Sequence, residues 1–200
     1  MDSANFLAAP EVASASRWIG PVLFAVRALV RPRRIGAVLP SGFPLAEAMA
    51  RMAPGHAIVE LGPGTGSITR RLLARLPESG QILALELDSG MAFSLQDRLM
   101  DPRLTVHAGD ASDLADWIGT MGWDRVDAVV SGLPFQAFPA PARDCILAAA
   151  RNALTPTGRF VAFQYGLRLL PAFRQHFRRV HVVGPIWRNL PPAYVIVGRV

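Results

Sequence analysis

The sequence predicts an α/β fold: a seven-stranded, mostly parallel sheet with helices on both faces, preceded by an N-terminal amphipathic helix. Three observations carry that expectation. From residue 57 onward, short aliphatic runs alternate with helical patterns, as parallel strands joined by crossover helices require. A glycine loop, E-L-G-P-G-T-G at 60–66, separates the first such strand from the first such helix. Acids then recur at the ends of the first three strands, as Glu60, Glu86 and Asp110.

Each element follows from its local pattern. AIVEL (57–61) is a short buried-type strand, and TRRLLARL after the glycines is a helix. QILALEL (81–87) is the second strand and SGMAFSLQDRLM its helix. LTVHAG (104–109) and VDAVVSG (126–132) are the third and fourth strands. PARDCILAAARNAL (141–154) is a helix, stopped and turned by TPTG. GRFVAFQY (158–165) is a fifth strand and LRLLPAFRQHF a helix, and RVHVVGPIW (179–187) and AYVIVGRV (193–200) form a final pair. Upstream, Ser41 stands where it would cap a helix through PLAEAMA.

Residues 1–40 are set apart as an extension, with the main domain at 41–200. Trp18, Ile19, Val22, Leu23, Val26, Leu29 and Val30 recur at helical spacing, with Arg17, Arg27 and Arg31 on the opposite face. Such a helix either docks on the core or lies in a membrane interface, with Trp and aliphatics in lipid and arginines on headgroups.

Composition narrows the function classes. Two hundred residues with a single cysteine, Cys145, exclude an intramolecular disulfide framework and a multi-cysteine metal site. Cys145 falls on the apolar side of its helix, and the four histidines show no metal-ligand spacing. The N-terminus lacks a secretory pattern and no apolar run is long enough to span a bilayer, so a cytoplasmic or membrane-peripheral protein is expected. The net charge is +6 and the pI about 11.1. All 21 basic residues are arginine. Residues 1–34 carry +3, 35–140 carry −5 and 141–200 carry +8. Basic ends around an acidic middle suit a polyanionic partner, nucleic acid or anionic lipid, and a nucleotide-type cofactor held between them.

The glycine loop is the strongest chemical signal. Gly62, Gly64 and Gly66 let the backbone turn sharply and approach a ligand where side chains would collide. Ser67 replaces the third glycine of a dinucleotide fingerprint, which weakens a nicotinamide or flavin assignment. Glu86, ending the second strand, can accept from two ribose hydroxyls, and Asp110 from an adenine amino group.

With these elements in order, the chain resembles the class I S-adenosylmethionine-dependent methyltransferases, which implies a Rossmann-like methyltransferase domain. Within that class RPRRIGAVLPSG (31–42), VVSGLPF (129–135) and WRNLPPAYV (187–195) resemble the bacterial phospholipid N-methyltransferases more than the related rRNA adenine dimethyltransferases. The resemblance implies S-adenosylmethionine as cofactor, held by Ser41, Glu60, Gly62, Gly64, Gly66, Glu86, Leu87, Asp110, Ala111 and Ser131. It implies a substrate region of Gly132, Leu133, Pro134, Phe135, Trp187, Arg188 and Asn189, with Tyr165 catalytic, and no metal.

Two departures separate the chain from the RNA enzymes. Gly132 stands where they carry the Asn of N-L-P-Y, and the chain ends directly after its last strand. The expected activity is therefore methylation of phosphatidylethanolamine toward phosphatidylcholine at an anionic membrane surface, with S-adenosylhomocysteine as product and no nucleic acid partner. Phe135, Tyr165 and Trp187 offer aromatic faces to a methylated ammonium. Arg188 matches a lipid phosphate, and Tyr165 would relay the amine proton. The alternatives are an RNA adenine N6-methyltransferase and a non-catalytic cofactor-binding protein that holds nucleic acid.

Overall fold

A computed structural model describes residues 42–200. The expected amphipathic helix with its membrane residues (Trp18, Ile19, Val22, Leu23, Val26, Arg27 and Arg31) and Ser41 all lie outside the described residues.

Helix α1 spans Phe43–Met52 and begins after Gly42, with Pro44 in its first turn, where a missing N–H costs nothing. It leads into β1 (Ala57–Leu61), α2 (Ser67–Leu73), β2 (Gln81–Glu86), α3 (Ser89–Leu99) and β3 (Leu104–Ala108). Next come α4 (Leu114–Thr120), β4 (Val126–Ser131), α5 (Ala140–Ala153) and β5 (Leu154–Gln164). Helix α6 (Leu170–His176), β6 (Arg179–Ile186) and β7 (Ala193–Arg199) complete the chain. The seven strands form one sheet in the order β3-β2-β1-β4-β5-β7-β6. Strands β1 to β5 are parallel, and β7 inserts antiparallel between β5 and β6.

Period-two alternation divides the core between the sheet's faces. One face buries Val59, Leu61, Val129, Phe160 and Ala162 with Ile146, Leu147 and Phe173 from α5 and α6. The other buries Ile58, Ala128, Val130 and Val161 with Leu45 and Met49 of α1 and Leu72 of α2. Burial on both faces is why these strands read as nearly continuous aliphatic runs.

The structure departs from sequence expectation in four places. Helix α4 stands where the sequence pattern predicts none, because LADWIGT buries only Leu114 and Ile118 and so shows little periodicity. TPTG is not a turn before β5: Leu154 already pairs with Val126, and the strand bulges before Arg159 pairs with Ala128. Helix α6 starts three residues later than expected, with Pro171 in its first turn. Cys145 is exposed, not in the core. The buried stripe of α5 runs through Ala142, Ile146, Leu147, Ala150 and Ala153, and Cys145 falls outside it.

Candidate active site

In this strand order the chain leaves β1 toward β2 on one side and later returns to β4 on the other. The crevice at the carboxyl ends of β1 and β4 is thus the switch point at which open α/β sheets bind ligands. The main-chain ladder continues past the strand ends there: Gly62 N donates to Leu85 O (2.9 Å), Gly132 N to Leu61 O (2.8 Å) and Gly109 N to Glu86 O (3.0 Å). These bonds bring the loops after β1, β3 and β4 to one level.

The loop after β1 has Gly62, Gly64 and Gly66 at φ of 67°, 54° and 78°, a region that costs an L side chain about 1 kcal/mol or more each. Gly66 is also the capping residue immediately before α2. The loop after β4 packs against it directly. A Cβ on Gly132 would lie 2.5 Å from Gly62 O, and one on Gly62 would lie 2.7 Å from Leu133 Cδ2. An asparagine at 132 has no room in this arrangement, so the departure at that position is built into the loop packing. Ser131 is buried, and its Oγ accepts from Leu133 N (3.2 Å), setting the turn into Leu133 and Pro134.

Glu86 is 4% exposed and held by both oxygens: Oε2 accepts from Gly64 N (3.1 Å) and Oε1 from Asp88 N (3.2 Å). Each carboxylate oxygen takes two hydrogen bonds, so a ribose diol still has acceptors there. Burial raises the Glu86 carboxyl above its usual range, and the backbone donors at Asp88 and Gly64 oppose that rise. Leu87, next in line, packs against the core. Asp110 caps the 3₁₀ turn Ala111–Asp113, its Oδ1 accepting from both Ser112 N and Ser112 Oγ (2.8 Å each). Ala111 packs on the core beside it.

Glu60 is different. It is fully buried, and neither carboxyl oxygen has a hydrogen-bond partner of good geometry among the described residues. Burial pushes its carboxyl up to about 8, nearby Glu86 adds to the rise, and the adjacent Thr69 hydroxyl offsets part of it. Thr69 Oγ1 is itself buried without a well-formed bond. No motif in the sequence singles out Thr69. Its one signal is a hydroxyl residue on the face of α2 that packs toward the sheet.

The remaining candidates divide. Tyr165 leaves the carboxyl end of β5, 42% exposed, with its ring edge-on to Phe163 at 5.5 Å. Trp187 is 75% exposed. Phe135 is completely buried and touches Phe138, Phe160 and Phe173. It supports the loop after β4 from within the core and presents no face to a substrate here. Arg188 is exposed, whereas Asn189 is 3% exposed with both ends of its amide engaged. Asn189 Oδ1 accepts from Gly42 N (2.9 Å), and Nδ2 donates to Pro191 O (2.7 Å). Its visible work is to tie the β6–β7 turn to the start of α1.

Residues 58–158 match the family described as a methyltransferase domain. The chain belongs to the class I S-adenosylmethionine-dependent methyltransferases. It is 31% identical over 169 residues to an ornithine lipid N-methyltransferase of Singulisphaera acidiphila, covering 80% of this chain and 85% of that protein. It is 42% identical to the ribosomal RNA small subunit methyltransferase A of Thiobacillus denitrificans over only 81 residues, 40% of this chain and 29% of that one. A TehB-like S-adenosylmethionine-dependent methyltransferase from Corynebacterium glutamicum shares the fold, with TM-score 0.58 and 20% identity over 88% of this chain and 98% of that one.

The methyltransferase's own residues fit the cofactor. The glycine loop has a bare backbone and Glu86 is an oriented acceptor, while Glu60 is buried within the sheet's core, where a cation bound nearby would favour its carboxylate form. S-adenosylmethionine supplies an electrophilic methyl group on a cationic sulfonium.

Proposed function

We propose that the protein methylates the amine of phosphatidylethanolamine, and then its mono- and dimethyl forms, toward phosphatidylcholine at the cytoplasmic membrane surface. The observation that supports a lipid amine is a likeness over 80% of this chain and 85% of a lipid N-methyltransferase, against a likeness to ribosomal RNA methyltransferases confined to under a third of their length. The packing of Gly132 on Gly62 O supports it, since no side-chain amide stands there to orient a nucleobase amine. Among the described residues no helix is long and apolar enough to cross a membrane, which suits a peripheral enzyme.

Methyl transfer is an in-line displacement, so the chain's task is alignment and exclusion of water. The amine must first lose a proton. Burial raises the Tyr165 phenol above its ordinary value, and the neutral hydroxyl acts as a relay: its oxygen takes the ammonium's proton as its own hydroxyl proton passes to solvent at the rim. Trp187 and Tyr165 give the methylated ammonium its aromatic faces. Arg188, at the turn between β6 and β7, pairs with the lipid phosphate.

A specific observation also favours a second lipid amine, the ornithine headgroup named for the relative. Radiolabelled cofactor offered phosphatidylethanolamine vesicles, ornithine-lipid vesicles and structured RNA side by side decides among these. Label in phosphatidylethanolamine, with KM raised about tenfold or more by Arg188→Ala and turnover lowered by Tyr165→Phe, supports the reading. Label in RNA alone overturns it. Label in the ornithine lipid, which has no phosphate, keeps the lipid class and removes the role of Arg188.

A further inference from the structure

The N-terminal pattern admits membrane contact as one of two readings. The described residues contain a second apolar feature beside the site. Four large apolar side chains of the carboxyl edge are exposed there: Phe43 at 63%, Tyr165 at 42%, Trp187 at 75% and Leu190 at 75%. The backbone places them together. Asn189 N donates to Ile186 O (3.1 Å), closing a four-residue turn with Trp187 and Arg188 at its corners. The bond from Gly42 N to Asn189 Oδ1 then brings Phe43 and Leu190, each one residue further on, to the same rim. In register, Ala193 pairs with Ile186 and Tyr194 with Gln164, so Tyr165 emerges at that level from the neighbouring strand end.

The turn is anchored from beneath. Asn189 is buried and bonded at both ends of its amide, so the exposed side chains around it are presented on a fixed support. An apolar tip on a fixed support enters an interface without first losing conformational freedom. Its charge identifies the partner. At this edge the chain carries Arg188 in the turn itself and Arg168 three residues after Tyr165, and no acid between Gln164 and Val195; Arg178 and Arg179 stand at the other end of β6. On the opposite flank, the Arg71 guanidinium lies 4.4 Å above the Phe43 ring. Exposed Trp, Leu and Phe among arginines match a boundary where acyl chains meet anionic headgroups.

We infer that the turn between β6 and β7, with the start of α1, is a lip that inserts into an anionic bilayer and sets the mouth of the site at headgroup depth. This rests on the lipid reading above and deepens it: the amine would be methylated without leaving the bilayer.

The test uses the full chain carrying Cys145→Ser and Leu190→Cys, with an environment-sensitive fluorophore at position 190. Vesicles containing phosphatidylglycerol should shift its emission to the blue, and pure phosphatidylcholine vesicles much less. Phe43→Ser and Leu190→Ser should each weaken sedimentation with phosphatidylglycerol vesicles about tenfold, the effect of leaving one such side chain out of an apolar phase. Neither should alter S-adenosylmethionine affinity or the methylation of short-chain, water-soluble phosphatidylethanolamine. A fluorophore that stays in water when vesicles bind overturns the lip, even if the soluble lipid is methylated. A fluorophore already in an apolar setting without vesicles, and unmoved by them, also overturns it, because the chain itself then covers the site. Blue shifts from RNA alone have the same force. Vesicle insertion with no lipid methylated keeps the lip and removes the substrate assignment instead.

Discussion

Glu60→Gln should stabilise the cofactor-free protein, and the gain should grow with pH. The Glu60 carboxyl has no exposure and no well-formed hydrogen bond, and desolvation carries it from 4.5 to about 8. Below pH 4.5 the carboxyl is neutral in both the folded and the unfolded chain and adds no pH dependence. Between 4.5 and 8 the unfolded chain has lost the proton while the folded chain retains it. Stability therefore falls as pH rises through that window, and the loss is complete above it. Full separation of the two values corresponds to about 5 kcal/mol. Relaxation around a buried charge lowers the realised figure to roughly 2–4 kcal/mol. Gln keeps the volume and removes the titration.

Denaturant unfolding of the wild type and E60Q across pH 4–9, without cofactor, reads this directly. The difference should open between about pH 5 and 8 in favour of the variant. A cationic ligand should reverse the preference, so S-adenosylmethionine binding near neutral pH should release a proton from the wild type and not from E60Q. Titration calorimetry in buffers of different ionisation heat measures that release. Parallel stability profiles for the two proteins, or a variant less stable at pH 8, would refute the buried neutral acid.

Three further perturbations address the rest of the site. Gly132→Ala places a Cβ 2.5 Å from the Gly62 carbonyl oxygen, a backbone atom that cannot swing aside. It should cost about 1–3 kcal/mol and weaken the cofactor more than tenfold in calorimetry; unchanged affinity would mean the two loops part freely. Glu86→Gln replaces one acceptor facing Gly64 N or Asp88 N with a donor. A loss of about 1–3 kcal/mol in denaturant unfolding is expected, with cofactor affinity falling in parallel. Asn189→Ala removes the tie to Gly42 N and should raise KM for vesicle lipid while leaving cofactor affinity within about twofold; a lost cofactor response instead would place Asn189 in the wrong half of the site.

The sequence by itself determined the alternation of strands and helices, the glycine loop and the acids at the strand ends. These are local: periodicity reports burial, and a row of glycines reports a backbone that side chains would block. It did not determine which candidates share the site. Phe135 and Trp187 are both aromatic residues in loops after strands, yet one is sealed in the core and the other is 75% exposed. Only the packing of α5 and α6 against β5 decides that. Asn189, expected at the substrate, is consumed by a bond to Gly42, 147 positions away in the chain. The insertion of β7 between β5 and β6 was equally hidden, because strand order depends on contacts across the sheet and leaves no trace in either strand's own pattern. The abnormal acidity of Glu60 likewise comes from the apolar surroundings that tertiary folding closes around it.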